Sequence, residues 1–339
     1  MRAPSIDLRR SRFAIGLVSI ALLAGPVALS TPADAVVAAP VCLAGSGTPT
    51  AARGPADTPA VSKAVKEQVA AEMASTLSTA RARAARTGAA PLPAKIRIWV
   101  RIHVIHGRHK ADRKITRTGA RRMFYTLRGA FNGRQNSSMT PTGIEFQLHS
   151  ITISRNDKWF HARPGSAADK QMKRKLHRGK RQVLNIYLNN EKSAGQALLG
   201  FARFPWLAGR YPKLDGVTIN VETLPGGRAR GYNLGDTVVH ETGHWLGLLH
   251  TFEGGCEAPG DYVADTAPEG QPSFACDKTR DTCPTELPPD YLPGQPLPEP
   301  VPDPVTNFMD YSYDSCMNHF TPGQRTRMVA SFMRYRAGR

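Results

Sequence analysis

Between Lys95 and Val104 the chain alternates, with Ile96, Ile98, Val100, Ile102 and Val104 on one side and Arg97, Trp99, Arg101 and His103 on the other. A period of two marks a strand with one face on a core. Arg117 to Phe131 then reads as a helix, with Thr116 or Thr118 available as its cap. Alternation returns from Ile144 to Ile153. Val183–Leu188 and Gly216–Val221 are short apolar strands, and Gly200–Phe204 is a candidate edge strand able to hold an extended peptide. A helix is expected from Leu234 to Leu246, followed by a loop-rich stretch dense in cysteine and proline. The proline run from Pro284 to Pro304 predicts an irregular excursion, and a last helix covers Pro322–Tyr335. Strands separated by helices predict a mixed α/β (α+β) fold: a mixed twisted sheet, with one helix above a loop-rich C-terminal subdomain.

The first 94 residues do not share this patterning. Arg2, Arg9, Arg10 and Arg12 precede an apolar run from Phe13 to Leu29 and then Ala33-Asp34-Ala35. That order predicts a signal peptide over 1–35. Gly25 and Pro26 interrupt the run, which is too short for a membrane span of roughly 20 residues. Arg9-Arg10 fits twin-arginine export, whereas Arg12 stands where that signal wants an apolar residue, so both export routes stay open. Residues 36–94 are rich in alanine, threonine, proline and glycine and lack the apolar content for a core of their own. They read as a pro-segment, disordered or helical, with one helix near Ser62–Arg86. The folded domain is then 95–339, with an upper part over 95–247 and a lower part over 248–339. A secreted, unanchored monomer is expected.

Charge and cysteines refine this reading. The net charge is +18, and residues 95–239 carry 28 lysines and arginines against 8 aspartates and glutamates. Few aromatics interleave those charges to stack on bases, so nucleic acid is not expected as a partner. Residues 240–339 are acidic instead, with 14 carboxylates against 7 basic residues. Cys256, Cys276, Cys283 and Cys316 all fall in that acidic half. In an oxidising compartment they predict two disulfides, and spacing alone leaves three pairings open. Cys42 is left over, in the pro-segment.

The chemistry is concentrated in His240-Glu241-Thr242-Gly243-His244-Trp245-Leu246-Gly247-Leu248-Leu249-His250. Residues four apart share a helix face, so His240 and His244 can present two imidazoles to one ion. Gly247 allows a sharp exit from the helix, after which His250 returns as a third ligand. Three histidines and an open position describe a catalytic zinc site, and no cysteine is present to close it. Glu241 is placed to act on a water as general base. A purely structural zinc site would have no use for it. The spacing is that of metzincins, which also need a methionine turn under the metal; Asn307-Phe308-Met309-Asp310-Tyr311 supplies Met309.

The chain resembles the pappalysin family of metzincins. The likeness rests on His240–Phe252, Gly254-Gly255-Cys256, Asp261–Thr266, Asn307–Tyr311, Asp314–Met317 and Phe320–Gln324, and upstream on Leu184–Leu188, Leu199–Trp206 and Asp215–Val217. It implies a zinc endopeptidase acting on protein or peptide substrates. Tyr311 would donate a hydrogen bond to the oxyanion. Asp314 would lie at the base of the S1′ pocket and favour Arg or Lys after the scissile bond. The cysteines would pair as Cys256–Cys283 and Cys276–Cys316, and the loop holding Asp261 and Asp265 falls where the family binds calcium. Cys42 is a candidate latency switch, its thiolate occupying the open zinc position. Arg81, Arg83 and Arg86 are candidate sites of self-maturation.

Overall fold

The computed structural model describes residues 61–191, 198–283 and 301–338. The expected signal peptide, Cys42 and most of the proline run lie outside the described residues. Five strands form one sheet in the order β2-β1-β3-β5-β4, with β1 at Ile96–His106, β2 at Ile144–Arg155, β3 at Val183–Asn189, β4 at Gly200–Ala202 and β5 at Val217–Asn220. The first four in that order run parallel, and β4 pairs antiparallel with β5 at one edge.

The β1 alternation holds only for its first half. Arg97 and Trp99 are exposed, but from Ile102 onward both faces are buried. The second cover is a helical layer the periodicity did not reveal: a short helix α3 (Asp157–Phe160) and α4 (Ala167–Leu176). His103 therefore lies inside. It stacks on Tyr187 with ring centroids 5.1 Å apart and bonds to Thr152 Oγ1 at 2.9 Å and Asn185 Oδ1 at 3.0 Å. Burial pushes its pKa down to about 4. On the opposite face lie α2 (Arg117–Phe131), within its expected bounds and capped by Thr116, and α5 (Thr237–Trp245). Between α5 and α6 (Pro322–Ser331) the described chain has no helix and no strand beyond an isolated Asn307–His319 bridge.

Two features tie the ends of the described chain to this body. After α6, a π-helical turn over Phe332–Arg336 carries Arg336 under α5. Its guanidinium meets Asp215 at 2.7 and 3.1 Å, donates to the Trp245 carbonyl at 2.9 Å, and lies 3.6 Å from the Trp245 ring centroid. A charge fully out of water needs that many partners to persist. At the other end, α1 (Lys63–Thr87) occupies the segment read as lacking a core of its own. It docks instead, burying Val69 and Met73 beside Ala330, Trp206 and Tyr335. Arg81, Arg83 and Arg86 are thus helical. A protease takes its substrate extended, so this part of α1 must unwind before it can be cut there.

Because His103 is held neutral in the fold, stability falls as pH drops from about 6.5 towards 4, where the unfolded chain takes up a proton that the fold refuses. The contribution approaches roughly 1.4 kcal/mol per pH unit. Thermal melts of wild type and His103→Gln between pH 7 and 4 should show the wild type losing its advantage as pH falls. A parallel pair of curves would refute this.

Candidate active site

The metal helix begins later than its pattern suggests. Leu234, Gly235 and Asp236 do not enter α5, because their backbone amides donate to Asp314 Oδ2 at 2.7, 2.9 and 3.3 Å. A carboxylate 78 to 80 residues away thus holds the approach to this helix, on the side of its positive dipole end. The Asp236-Thr237-Val238-Val239 run is fully buried. At the other end, Gly247 has φ of 100°, a conformation other residues rarely adopt, and a Cβ there would meet Ser331 Oγ at 2.5 Å. The chain turns at this glycine and brings His250 back beside the helix.

The three imidazoles converge. His244 Nε2 lies 3.0 Å from His240 Nε2 and 3.1 Å from His250 Nε2. The opposite nitrogens explain why this is a cation site. His240 Nδ1 faces the Phe308 carbonyl at 2.7 Å, and His244 Nδ1 faces the Leu248 carbonyl at 2.8 Å. A carbonyl only accepts, so each Nδ1 must carry the proton, and each Nε2 of the neutral ring turns a lone pair inward. Two lone pairs at such a distance repel unless a cation sits between them. Tetrahedral zinc with bonds of about 2.0–2.1 Å needs nitrogens roughly 3.4 Å apart, a small opening from the arrangement present. Zinc fits.

Met309 lies beneath the ligands, and its Sδ would be 2.4 Å from a Cβ on Gly243. That glycine is what lets the methionine approach the helix. The turn carrying it is fixed from both sides. Asn307 Oδ1 accepts from Met309 N at 2.9 Å, while the Asn307 and Gln324 amides pair reciprocally at 2.9 and 3.0 Å. Thr251 N donates to the Met309 carbonyl at 3.2 Å, joining the third ligand's neighbour to the same turn. The Tyr311 ring lies 5.0 Å from His250 and 5.8 Å from His240 between centroids. Its backbone carbonyl takes the Tyr232 hydroxyl at 3.0 Å.

Glu241 is buried and projects towards edge strand β4. A Cβ on Gly200 would fall 2.6 Å from Glu241 Oε1. Glycine at that place leaves room for the carboxylate against the edge along which an extended peptide would lie. Beside it opens a cavity lined by Glu241, His240, Tyr232, Tyr311 and Asp314 among others. Asp314 Oδ1 is buried with no hydrogen-bond partner among the described residues. Burial raises its pKa, against the three backbone amides on Oδ2.

The structure pairs Cys256 with Cys283 and Cys276 with Cys316. The second bond ties the loop ahead of the metal turn to the residue two past Asp314. Asp261 and Asp265 are each engaged by neighbouring donors. Asp261 Oδ1 accepts from Val263 N at 2.9 Å, and burial lifts its pKa to about 7. Asp265 caps α6, taking Thr321 Oγ1 at 2.6 Å and Gly323 N at 2.7 Å. Among the described residues, metal-like clusters form at the three histidines and at Asp112, Asp157 and His161.

This site is that of a metzincin metalloprotease. Residues 166–333 match peptidase family M43, described as pregnancy-associated plasma protein-A. An extracellular metalloprotease of Neurospora crassa is 37% identical over 270 residues, 78% of this chain and 85% of that protein. One from Colletotrichum graminicola is 42% identical over 206 residues, covering 60% of this chain and 66% of its own length, just under two thirds. Among solved structures, mature mirolysin of Tannerella forsythia with a cleaved peptide aligns at TM-score 0.54 and 26% identity, over 71% of this chain and 96% of that one. A promirolysin mutant aligns at TM-score 0.57 and 25% identity, over 82% and 91%. The chain belongs to the pappalysin family.

Gly200→Ala should push the Glu241 carboxylate aside while leaving the three histidines in place. Peptide hydrolysis is expected to fall about 100-fold, the effect of misplacing a catalytic group by about 1 Å, at unchanged zinc content by elemental analysis. Full activity in that variant would contradict the crowding.

Proposed function

We propose that this protein is a secreted zinc endopeptidase using Glu241 as general base and preferring Arg or Lys at P1′. The carrying observation is the inward convergence of three Nε2 atoms enforced by backbone carbonyls on the far side of two rings. Bound zinc would supply Lewis-acid polarisation and a nucleophilic water at neutral pH. Glu241 takes a proton from the attacking water and returns it to the leaving amine. Tyr311, stationed beside the histidines, hydrogen-bonds the carbonyl oxygen as it gains charge; such a donor is typically worth about 10²–10³ in rate. β4 is the outer strand of the sheet, the place where the backbone of the substrate would pair. Secretion is supported by the relatives named extracellular metalloproteases. Among the described residues no helix is long and apolar enough to cross a membrane.

Selectivity rests on Asp314. One oxygen is fixed by three amides, and the residue lines the same cavity as Glu241 and His240. An entering guanidinium would restore the ionised carboxylate that burial disfavours, through a charge-assisted bond. This support does not extend to calcium at Asp261 and Asp265, whose oxygens are engaged in a turn and a helix cap. Latency through Cys42 is supported by the place where α1 starts. Lys66 binds Glu253, three residues past His250, so the chain ahead of α1 departs near the rim of the site. The 20 residues from Cys42 to Ser62 reach up to about 70 Å when extended, so length does not limit the thiolate.

Two measurements test the reading. Glu241→Gln should keep zinc and lose nearly all hydrolysis of casein; substantial turnover would overturn the base assignment. Peptides differing only as X–Arg or X–Leu should be cut at rates that differ by at least tenfold in wild type and converge in Asp314→Ala. Equal wild-type rates would remove the basic preference.

A further inference from the structure

The Tyr311 ring stands beside two of the metal histidines, and two phenyl rings pack on it in turn. Phe252 lies 4.9 Å from it between centroids, at an interplanar angle of 59°. Phe274 stacks on it at 5.9 Å and 29°. Phe252 also lies flat against His250, 4.7 Å away at 10°. One phenyl thus touches the third metal ligand and the tyrosine together. All three of these six-carbon rings are half-buried.

Each phenyl is fixed through the residue beside it. Thr251 N donates to the Met309 carbonyl at 3.2 Å, and the Thr251 hydroxyl meets Glu269 Oε2 at 2.6 Å. Ser273 N donates to Asp310 Oδ1 at 3.0 Å, and Cys276, two residues past Phe274, is bonded to Cys316. The neighbours of the two phenyls are therefore tied to Met309 and Asp310, the residues just ahead of Tyr311. Ser312, just after it, donates through Oγ to Asp310 Oδ2 at 2.8 Å. The three rings share one frame.

A tyrosine side chain turns about two torsions, and a half-buried ring has room to turn. A donor that must be ordered during the reaction gives back part of its gain, whereas one already held does not. Aromatic rings attract in tilted and offset-stacked pairs at centroid distances of roughly 4.5–7 Å, the range found on both phenyls. We infer that Phe252 and Phe274 are positioning residues for Tyr311, holding its hydroxyl ready for the oxyanion before substrate arrives. A phenyl can neither donate a proton nor bind the metal, so each acts through the tyrosine. This rests on Tyr311 as the oxyanion donor and adds what keeps it in place.

Steady-state hydrolysis of one peptide by the purified enzyme reads this, with zinc content measured alongside. Phe274→Leu and Phe252→Leu should each lower kcat about tenfold at nearly unchanged KM and zinc, the mark of an interaction made in the transition state. That is short of the loss of about 10²–10³ expected when the donor itself is removed in Tyr311→Phe. Phe274→Tyr, which keeps the ring, should restore most of the lost kcat. In the Tyr311→Phe background the leucine substitutions should cost nothing further. A leucine effect as large in that background, or one confined to KM, would overturn the inference. So would leucine variants with wild-type kcat beside an impaired Tyr311→Phe, with the oxyanion role left standing. Wild-type kcat in Tyr311→Phe would sink that role and the inference together.

Discussion

The repulsion among inward-facing imidazole lone pairs is the constraint on which the rest of this structure depends. It exists because the Phe308 and Leu248 carbonyls fix which nitrogen carries the proton. Those two acceptors come from opposite ends of the site, one on the methionine turn and one just past the helix exit. The metal helix alone would leave its imidazoles free to rotate and change tautomer. It becomes a preorganised pocket only when the C-terminal part of the chain is laid against it.

The lower part is accordingly built for placement rather than for core. Between α5 and α6 its described residues have almost no regular structure, yet the methionine turn is held at every level. Asn307 and Gln324 pair as amides beneath it, Cys276–Cys316 spans it, and Asp314 reaches across to hold the approach to the metal helix. Deeper, Glu269 and Asp303 are tied through Arg280. Burial lifts Glu269 to about 8. Polar fastening substitutes here for the hydrophobic layer that secures the upper sheet, and it leaves the backbone free to follow the outline of a cleft.

Much of this was legible in the sequence where chemistry is tied to residue type and spacing. The histidines, Glu241, Gly247 and Met309 stand in a pattern whose geometry follows from helix pitch. The strands with clean alternation were legible for the same reason. Helix α4 was not: its ten residues include five charged ones, and only Met172 and Leu176 are bulky apolar residues, so no periodic stripe stands out. Its one signal was Ser166 followed by Asp169, a capping pattern. The start of α5 was misplaced because the amides of Leu234–Asp236 answer to Asp314, a partner 78 to 80 residues away. The orienting carbonyls of Phe308 and Leu248 were illegible in principle, since a backbone oxygen has no residue signature.

Arg336 carries a consequence for the timing of assembly. Its guanidinium closes the polar pocket formed by Asp215 and the end of α5, and it belongs to the last stretch of the described chain. A ribosome delivers that arginine 121 residues after Asp215 and 91 after Trp245. Until then Asp215 lies beneath the metal helix without its counter-charge, and the helix end lacks its clasp. The end of the metal helix therefore waits, during synthesis, for a residue that emerges well after it.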